Sequence, residues 1–587
     1  MVADERFDTI DYIVFAGMLL VSALIGIYFA FFAKRKQNTV KEYLLGGKEM
    51  GIFPISMSLV ASSISGIALI GLPSEMYTFG TQLWVTVISE VLAYLTTAFV
   101  FLPVLFKLQV TSSYEYLERR YNRVLRKLGS ILFILGTMLY IPIVIYVPGP
   151  LAFAQVTGIS LQLLIPSVCV VCIFYTTLGG MKAVAWTDTV QTMLIFLGVV
   201  VVSVIGTVQV GGFSAVWEAN RKGGRIEFFN MDPDPTARHT FWTVLIGKYF
   251  PNLSFSTVNQ AFVQRYLAMP TLRKARLTVV ILTFGVVSLI SFCCYTGLVI
   301  FAAFSDCDPV SAGIVSKPDQ LLPYFILKYT SDIPALPGIF VAGVFSAALS
   351  TMSTCLNSMT GVVFEDFVRP LFRKPVSDAK ASFYMKVIVV LIGTVTVILA
   401  TIVDKLGGII QASASLGGIT SGTLLGMFIL GMLFPWANST GALVGGIASA
   451  SLVGWICIGT QVAVTRKQII LPMKPVSVEG CQNITLPLPT NQTQTITSEP
   501  FFLYKISYVY YPLIGVVVCV VIGLIVSYFT KMNKPHRMDP DLLSPVIHKY
   551  ISFIDEEVVN KKLMRAHRNS VDISRQAKEE SLPMTDR

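Results

Sequence analysis

Thirteen apolar runs, each long enough to cross a bilayer, dominate this chain. They lie near residues 10–33, 50–77, 81–106, 128–156, 159–178, 184–208, 240–262, 275–304, 334–362, 383–403, 408–434, 440–461 and 507–530. About 20 predominantly apolar residues make a transmembrane helix. In lipid each segment has to satisfy its own backbone N–H and C=O groups, so such runs fold as helices. An all-α polytopic membrane protein with about 13 transmembrane helices is predicted. Composition agrees, since only 13% of the 587 residues are charged where soluble domains carry roughly 25%. The net charge of +11 does not call for nucleic acid, because basic residues gather on the cytoplasmic side of membrane proteins. The first run follows Asp4, Glu5, Asp8 and Asp11, not the basic start of a cleavable signal peptide.

Lysine and arginine set the orientation. The loops after runs one, three, seven and nine carry Lys34/Arg35/Lys36, Arg119/Arg120/Arg123/Arg126, Arg273/Lys274/Arg276 and Arg369/Arg373/Lys374. These loops read as cytoplasmic. The N-terminus is then extracellular and the C-terminus cytoplasmic, with the plasma membrane as the expected location. The sequons Asn483-Ile-Thr and Asn491-Gln-Thr fall in the outer loop 462–505 and are candidate glycosylation sites. Asn252-Leu-Ser and Asn438-Ser-Thr also match, but sit in or beside apolar runs. Of nine cysteines only Cys307 and Cys481 lie in polar loops. Both are on the outer side, where a disulfide between them is a candidate that connectivity rules leave open. The polar tail 531–587 is expected to be disordered or weakly helical.

Two runs are interrupted. Val60-Ala-Ser-Ser-Ile-Ser-Gly66 places three serines and a glycine at mid-membrane, and Tyr249-Phe-Pro-Asn-Leu-Ser-Phe-Ser256 contains a proline that removes a backbone donor. The breaks lie five runs apart. Such interruptions at corresponding positions point to a transporter site built from an inverted repeat; two unrelated kinks are the plainer alternative. The repeat reading assigns residues 1–48 to an extracellular start, a peripheral first helix and a cytoplasmic loop. Residues 49–208 form the first repeat, 209–239 an extracellular loop and 240–434 the second repeat. Residues 435–530 hold two more peripheral helices around the loop 462–505, and 531–587 are the cytoplasmic tail.

Run nine contains a row of hydroxyls: Ser346, Ser350, Thr351, Ser353, Thr354 and Ser358. Residues 347, 350, 351, 354 and 358 share one helical face. Packing between helices is one account of them. The other is a hard cation, which prefers carbonyl and hydroxyl oxygens. A broken helix exposes carbonyls, and Ala61 and Ile64 flank the break in run two. With the Ala347 carbonyl and the Ser350 and Thr351 hydroxyls they could make a five-oxygen sodium site.

Three acids lie at or near membrane depth, where acids are functional candidates. Asp188 begins run six and is expected near the cytoplasmic surface, steering a leaving cation, capping its helix or pairing with Lys182. Glu75 reads as an outer helix-end residue, and Glu90 as a structural acid or part of a substrate vestibule. No histidine occupies an apolar run: His239 is in a loop, and His536, His548 and His567 are in the tail. That argues against intramembrane hydrolysis and against a zinc site.

Three stretches, Gly179-Gly-Met-Lys-Ala183, Val258-Asn-Gln-Ala-Phe-Val-Gln-Arg-Tyr266 and Ser350-Thr-Met-Ser-Thr-Cys-Leu-Asn357, closely resemble the sodium/solute symporter family. The nearest branch is that of the animal sodium-coupled monocarboxylate, multivitamin and iodide transporters. The resemblance extends from about residue 8 to 530. It implies a leucine-transporter-type 5+5 inverted repeat and a cation site whose positions match Ala61, Ile64, Ala347, Ser350 and Thr351. Asp188 matches an acid that the family places near the same ion. Ser65 and Tyr146 match positions near a second sodium. Gly66-Ile-Ala68 replaces the polar segment with which the sugar branch binds sugar, and Ala68 stands where the iodide transporter has glutamine. Ser65, Ala68, Tyr146 and Glu90 are therefore candidates for a second ion or the substrate. The implied function is sodium-coupled symport of a small organic anion such as lactate, butyrate or nicotinate. Vitamin or iodide transport, or a non-transporting sensor, are the alternatives. Sodium would be co-transported, with no cofactor and no enzymatic activity.

Overall fold

The computed structural model describes residues 7–33, 37–147, 160–330, 333–402, 409–466, 468–469, 473–481 and 499–551, with side chains omitted for 409–416. The main elements are helices α1 (Thr9–Ile27), α2 (Val40–Leu45), α3 (Ile52–Ser63), α4 (Gly66–Phe79), α5 (Thr86–Thr96) and α6 (Leu102–Leu108). They continue as α7 (Glu115–Arg120), α8 (Arg123–Tyr146), α9 (Leu161–Val210), α10 (Phe213–Lys222), α11 (Lys248–Thr257), α12 (Gln260–Leu267) and α13 (Leu272–Ala303). The remainder are α14 (Leu321–Thr330), α15 (Leu336–Val363), α16 (Asp378–Ile402), α17 (Ile409–Leu433), α18 (Ser439–Thr465), α19 (Phe502–Lys505) and α20 (Tyr511–Phe529).

Among the described residues nine helices are long and apolar enough to cross a membrane, or ten if the bent pair α3–α4 is one span. The expected count of thirteen differs for local reasons. Runs five and six join without a loop in α9, whose backbone leaves the helical region only at Gly180, φ 51° and ψ −148°. A Cβ there would lie 2.8 Å from the Tyr43 carbonyl oxygen, so the turn needs glycine on both conformational and steric grounds. Run seven divides into a widened turn at Thr243–Gly247, α11 and α12, each too short to span. Within run eleven the apolar helix described with side chains is Gly417–Leu433.

The interruption in run seven is also displaced. The proline expected to break it, Pro251, lies inside α11, and the helix ends seven residues later at Val258 and Asn259. The widened turn includes Gly247, the residue four before Pro251, where the missing N–H has to be accommodated.

α15 is the central helix. Of its most apolar window 89% is buried, against 22% for α1. It packs on α1, α3, α8, α9, α12 and α16. A second group, α17, α18 and α20, packs tightly together. A Cβ on Gly445 would sit 2.4 Å from the Cys519 carbonyl oxygen, the close backbone approach that small residues allow between membrane helices.

Cys307 and Cys481 are joined by a disulfide, with Cα atoms 5.0 Å apart. Asn483 and Asn491 lie outside the described residues. Over 531–551 the tail, expected to be disordered or weakly helical, forms three single helical turns and packs on the bundle. Tyr116 Oη donates to the Leu542 carbonyl at 3.1 Å, Ser544 Oγ to the Val100 carbonyl at 2.8 Å, and Leu543 is buried. The apolar pair Leu542-Leu543 supplies an anchor that the polar composition around it conceals. Residues 552–587 lie outside the described set.

Candidate ion and substrate site

The helix break forms at Ile64 and Ser65, both extended, with φ/ψ of −122°/109° and −80°/162°. The Ser62 and Ser63 hydroxyls donate to the Ser58 and Leu59 carbonyls at 2.8 Å each, which helps to end α3. Ser65 caps α4 by accepting from the Ala68 amide at 3.4 Å. The last carbonyls of α3 therefore lack the partners that a continuous helix would supply. α3 faces α15 here, with Ser62 Oγ 3.0 Å from Thr354 Oγ1. Ala61, Ile64, Ala347, Ser350 and Thr351 are all buried. The Thr351 hydroxyl donates to the Ala347 carbonyl at 2.8 Å and keeps its own lone pairs for a ligand. The Ser346 hydroxyl is buried without a hydrogen-bond partner, and the Ser350 hydroxyl is buried beside Asp188.

Asp188 is enclosed by protein. Its side chain is fully buried, and Lys182 pairs with Glu42 instead, at 2.7 Å. The partner of Asp188 is Arg265, whose Nη2 lies 3.1 Å from Oδ2. Ser58 donates to the same oxygen, and Arg265 also donates to Ser58 Oγ at 2.7 Å, to the Ala261 carbonyl at 2.9 Å and to Thr354 Oγ1. Asp188 Oδ1 and the Ser350 hydroxyl lie beside each other, and neither bonds to any third residue. One carboxylate oxygen and one hydroxyl thus lie side by side with lone pairs to spare, an arrangement that fits a cation.

Arg265 belongs to α12, which ties the surrounding helices together. Asn259 caps it through the Ala261 amide at 2.9 Å. Gln260 accepts from Ser113 N at 2.6 Å and donates to the Thr111 carbonyl at 2.9 Å. Gln264 donates to the Leu44 carbonyl at 2.6 Å and to Asn357 Oδ1 at 2.9 Å. The polar residues of this motif are structural connectors. No local pattern marks the partner of Arg265, because its contacts beyond α12 lie on α3, α9 and α15.

Beside the helix break is a cavity of about 570 Å³, lined by Ser63, Glu90, Tyr94, Tyr140 and Thr351 among others. Glu90 is half-buried in this wall, next to Tyr94. Tyr94 Oη is 3.5 Å from Ser63 Oγ, and Tyr140 lies beside Ser65. Ala68 is half-buried in the first turn of α4, and half-buried Tyr146 ends α8, six residues beyond Tyr140. Lys248, which no sequence motif singles out, and Asn252, met in the sequence only in the interrupted stretch and as a sequon, also line the cavity.

At the far end of α4, Glu75 receives both Arg238 Nε and Nη2, at 2.9 and 3.0 Å. His239 Nδ1 is 3.2 Å from the same carboxylate, and its Nε2 is 3.3 Å from Tyr508 Oη. Burial, with Arg238 and Lys248 nearby, holds the imidazole well below its ordinary range. The neutral ring protonated on Nδ1 satisfies both contacts.

A profile of the sodium:solute symporter family matches residues 43–449. The chain belongs to this family. Among its relatives is mouse sodium-coupled monocarboxylate transporter 2, 37% identical over 93% of this chain and 88% of that protein. Another is Xenopus laevis sodium-coupled monocarboxylate transporter 1, 40% identical over 93% and 90%. The rabbit sodium-dependent multivitamin transporter is 38% identical over 94% and 87%. The solved structure of a Na+-coupled sialic acid symporter, 24% identical, superposes with a TM-score of 0.71 over 90% of this chain and all of that one. This sodium:solute symporter therefore has the leucine-transporter-type helical fold. It is a transporter rather than an enzyme, and sodium is its co-transported substrate.

Proposed function

We propose that this symporter sits in the plasma membrane and imports a small organic monocarboxylate together with sodium by alternating access. The observation that carries the reading is the α3–α4 break facing the buried hydroxyls of α15, with Asp188 Oδ1 beside the Ser350 hydroxyl. Carbonyls of Ala61, Ile64 and Ala347 and hydroxyls of Ser350 and Thr351 give sodium five neutral oxygens. Neutral ligands suit an ion that has to leave in every cycle. Asp188, with Arg265 occupying one of its oxygens, adds a partly compensated negative charge that favours cation entry and exit. Ser65, with Tyr140 beside it, belongs to the wall between ion and cargo.

The monocarboxylate relatives support lactate, butyrate or nicotinate as cargo, and the multivitamin relative supports biotin or pantothenate as the second reading. All are carboxylates. Each sodium ion entering through 100 mV supplies about 2.3 kcal/mol, and a tenfold gradient adds about 1.4 kcal/mol. An anion returns one charge against the voltage, so electrogenic uptake needs two or more sodium ions per monocarboxylate.

The two helix breaks, at Ile64 and Asn259, support the division into inverted repeats at 49–208 and 240–434. The Cys307–Cys481 disulfide supports an extracellular face for these loops, with an extracellular N-terminus, a cytoplasmic tail and glycosylation at Asn483 and Asn491. Radiolabelled uptake with sodium replaced by choline tests the function. Sodium-dependent uptake of carboxylates and not of glucose is expected. Sodium-independent uptake overturns the coupling, and no uptake of lactate, butyrate, nicotinate, biotin, iodide or glucose favours a sensor.

A further inference from the structure

We propose that Lys248 and Asn252 form the pair that binds the carboxylate of the transported anion, an inference that rests on the monocarboxylate reading above. Both residues belong to α11. They are four positions apart, so their side chains share one helical face. Both line the cavity of about 570 Å³. Lys248 also lines an adjoining cavity of about 290 Å³, with Pro251, Gly417 and Ser421 common to both walls. Lys248 thus belongs to both walls, and its ammonium lies near Tyr508, which lines the smaller cavity.

Neither donor is committed elsewhere. Among the described residues Lys248 forms no ion pair within 4 Å; its Nζ lies 5.6 Å from the Tyr508 ring centroid, and Glu90 is its charged neighbour in the cavity. The Asn252 Nδ2 amide is buried without a hydrogen-bond partner. An ammonium and an unpaired amide one turn apart suit a planar carboxylate, whose two oxygens accept charge-assisted and neutral hydrogen bonds. Phe133, Phe255 and Phe262 line the same cavity and offer an apolar bed for an alkyl or aryl tail.

The cavity wall holds one cation and one acid among the described residues, Lys248 and Glu90. A monocarboxylate on Lys248 leaves a net negative charge in the cavity. Thr351 of the candidate sodium site lines that cavity too, so a sodium ion there offsets the charge. Ion and anion each favour the other's binding. A dicarboxylate would bring a second charge into a space that already holds Glu90, and is rejected.

Sodium-driven uptake of butyrate, butyramide and succinate by the full-length wild type, Lys248→Gln, Lys248→Arg and Asn252→Ala tests this, with surface abundance measured in parallel. Lys248→Gln is expected to raise the butyrate KM about tenfold or more, while the sodium half-saturation, measured at saturating butyrate, stays within about twofold of wild type. Lys248→Arg recovers most of the affinity, and Asn252→Ala weakens it several-fold. The preference for butyrate over butyramide collapses in Lys248→Gln, and succinate is not transported by the wild type. An unchanged butyrate KM in Lys248→Gln, with sodium-dependent wild-type uptake intact, overturns the pair while leaving the proposed function standing. A wild type that transports no monocarboxylate overturns both. Should Lys248→Gln fail to reach the surface, Asn252→Asp carries the test: its like charge is expected to abolish anion uptake, and unimpaired uptake overturns the assignment.

Discussion

Arg265 Nη2 lies 3.1 Å from Asp188 Oδ2, and both side chains are buried among α3, α9, α12 and α15. The guanidinium is held independently by Ser58, Ala261 and Thr354. It therefore compensates the carboxylate without occupying Oδ1, which lies beside the Ser350 hydroxyl. A permanent internal cation and a carboxylate oxygen that it leaves open coexist beside the candidate sodium ligands.

Removing one member of such a pair costs about 3–5 kcal/mol, whereas replacing both by apolar residues is often near neutral. Arg265→Met is expected to lower the unfolding temperature of the purified protein sharply. Arg265→Met combined with Asp188→Leu recovers most of the loss. A double variant less stable than either single would show that the two side chains stabilise the protein mainly through contacts other than the one between them.

Thr351→Ala removes a hydroxyl from the candidate sodium site and, among the described residues, deletes one hydrogen bond, to the Ala347 carbonyl. Sodium titrations of uptake are expected to show an increase of about tenfold in half-saturation, equivalent to about 1.4 kcal/mol. Affinity for the organic anion at saturating sodium stays close to wild type. An unchanged sodium dependence would remove Thr351 from the ligand set.

His239 is held below its ordinary range by burial and by Arg238 and Lys248, with Glu75 the opposing neighbour and Tyr508 on the other ring nitrogen. A depressed histidine pKa makes the unfolded chain bind a proton that the folded chain refuses. Its stabilising contribution is complete above the unfolded pKa of about 6.5 and is lost as pH falls towards the folded value, by at most about 1.4 kcal/mol per pH unit. Thermal unfolding of the wild type is expected to shift to lower temperature between about pH 7 and 5, and His239→Gln flattens that slope.

The Cys307–Cys481 bridge closes a loop spanning 174 residues. On a chain-entropy account it contributes about 4–5 kcal/mol. Cys307→Ser, Cys481→Ser and the double variant are expected to show the same drop in unfolding temperature, because each removes the same covalent link. Additive losses would contradict that link.

Some of the site is legible as local pattern. Serines and a glycine at mid-membrane mark the break at Ile64 because no lipid-facing helix benefits from them, and the hydroxyls of α15 repeat on one helical face. Pro251 misleads for an equally local reason: the widened turn upstream absorbs its missing donor, so the helix ends at Asn259 instead. The place of Asp188 at the start of an apolar run suggests a helix cap or Lys182 as its partner. The Gly180 turn instead joins two helices directly, and Arg265 approaches from α12 to meet the carboxylate.

The helical membrane class, the location of the first break and the oxygen-rich face opposite it follow from the amino-acid order alone, because hydrophobic length and helical periodicity act between near neighbours. Which charge answers Asp188, which cavity Lys248 and Asn252 line, and that Leu542 and Leu543 anchor the start of the tail emerge only when the helices are assembled. Those outcomes depend on which helices pack together, since a buried charge or an unpaired amide acquires its role from groups on other helices that enclose it.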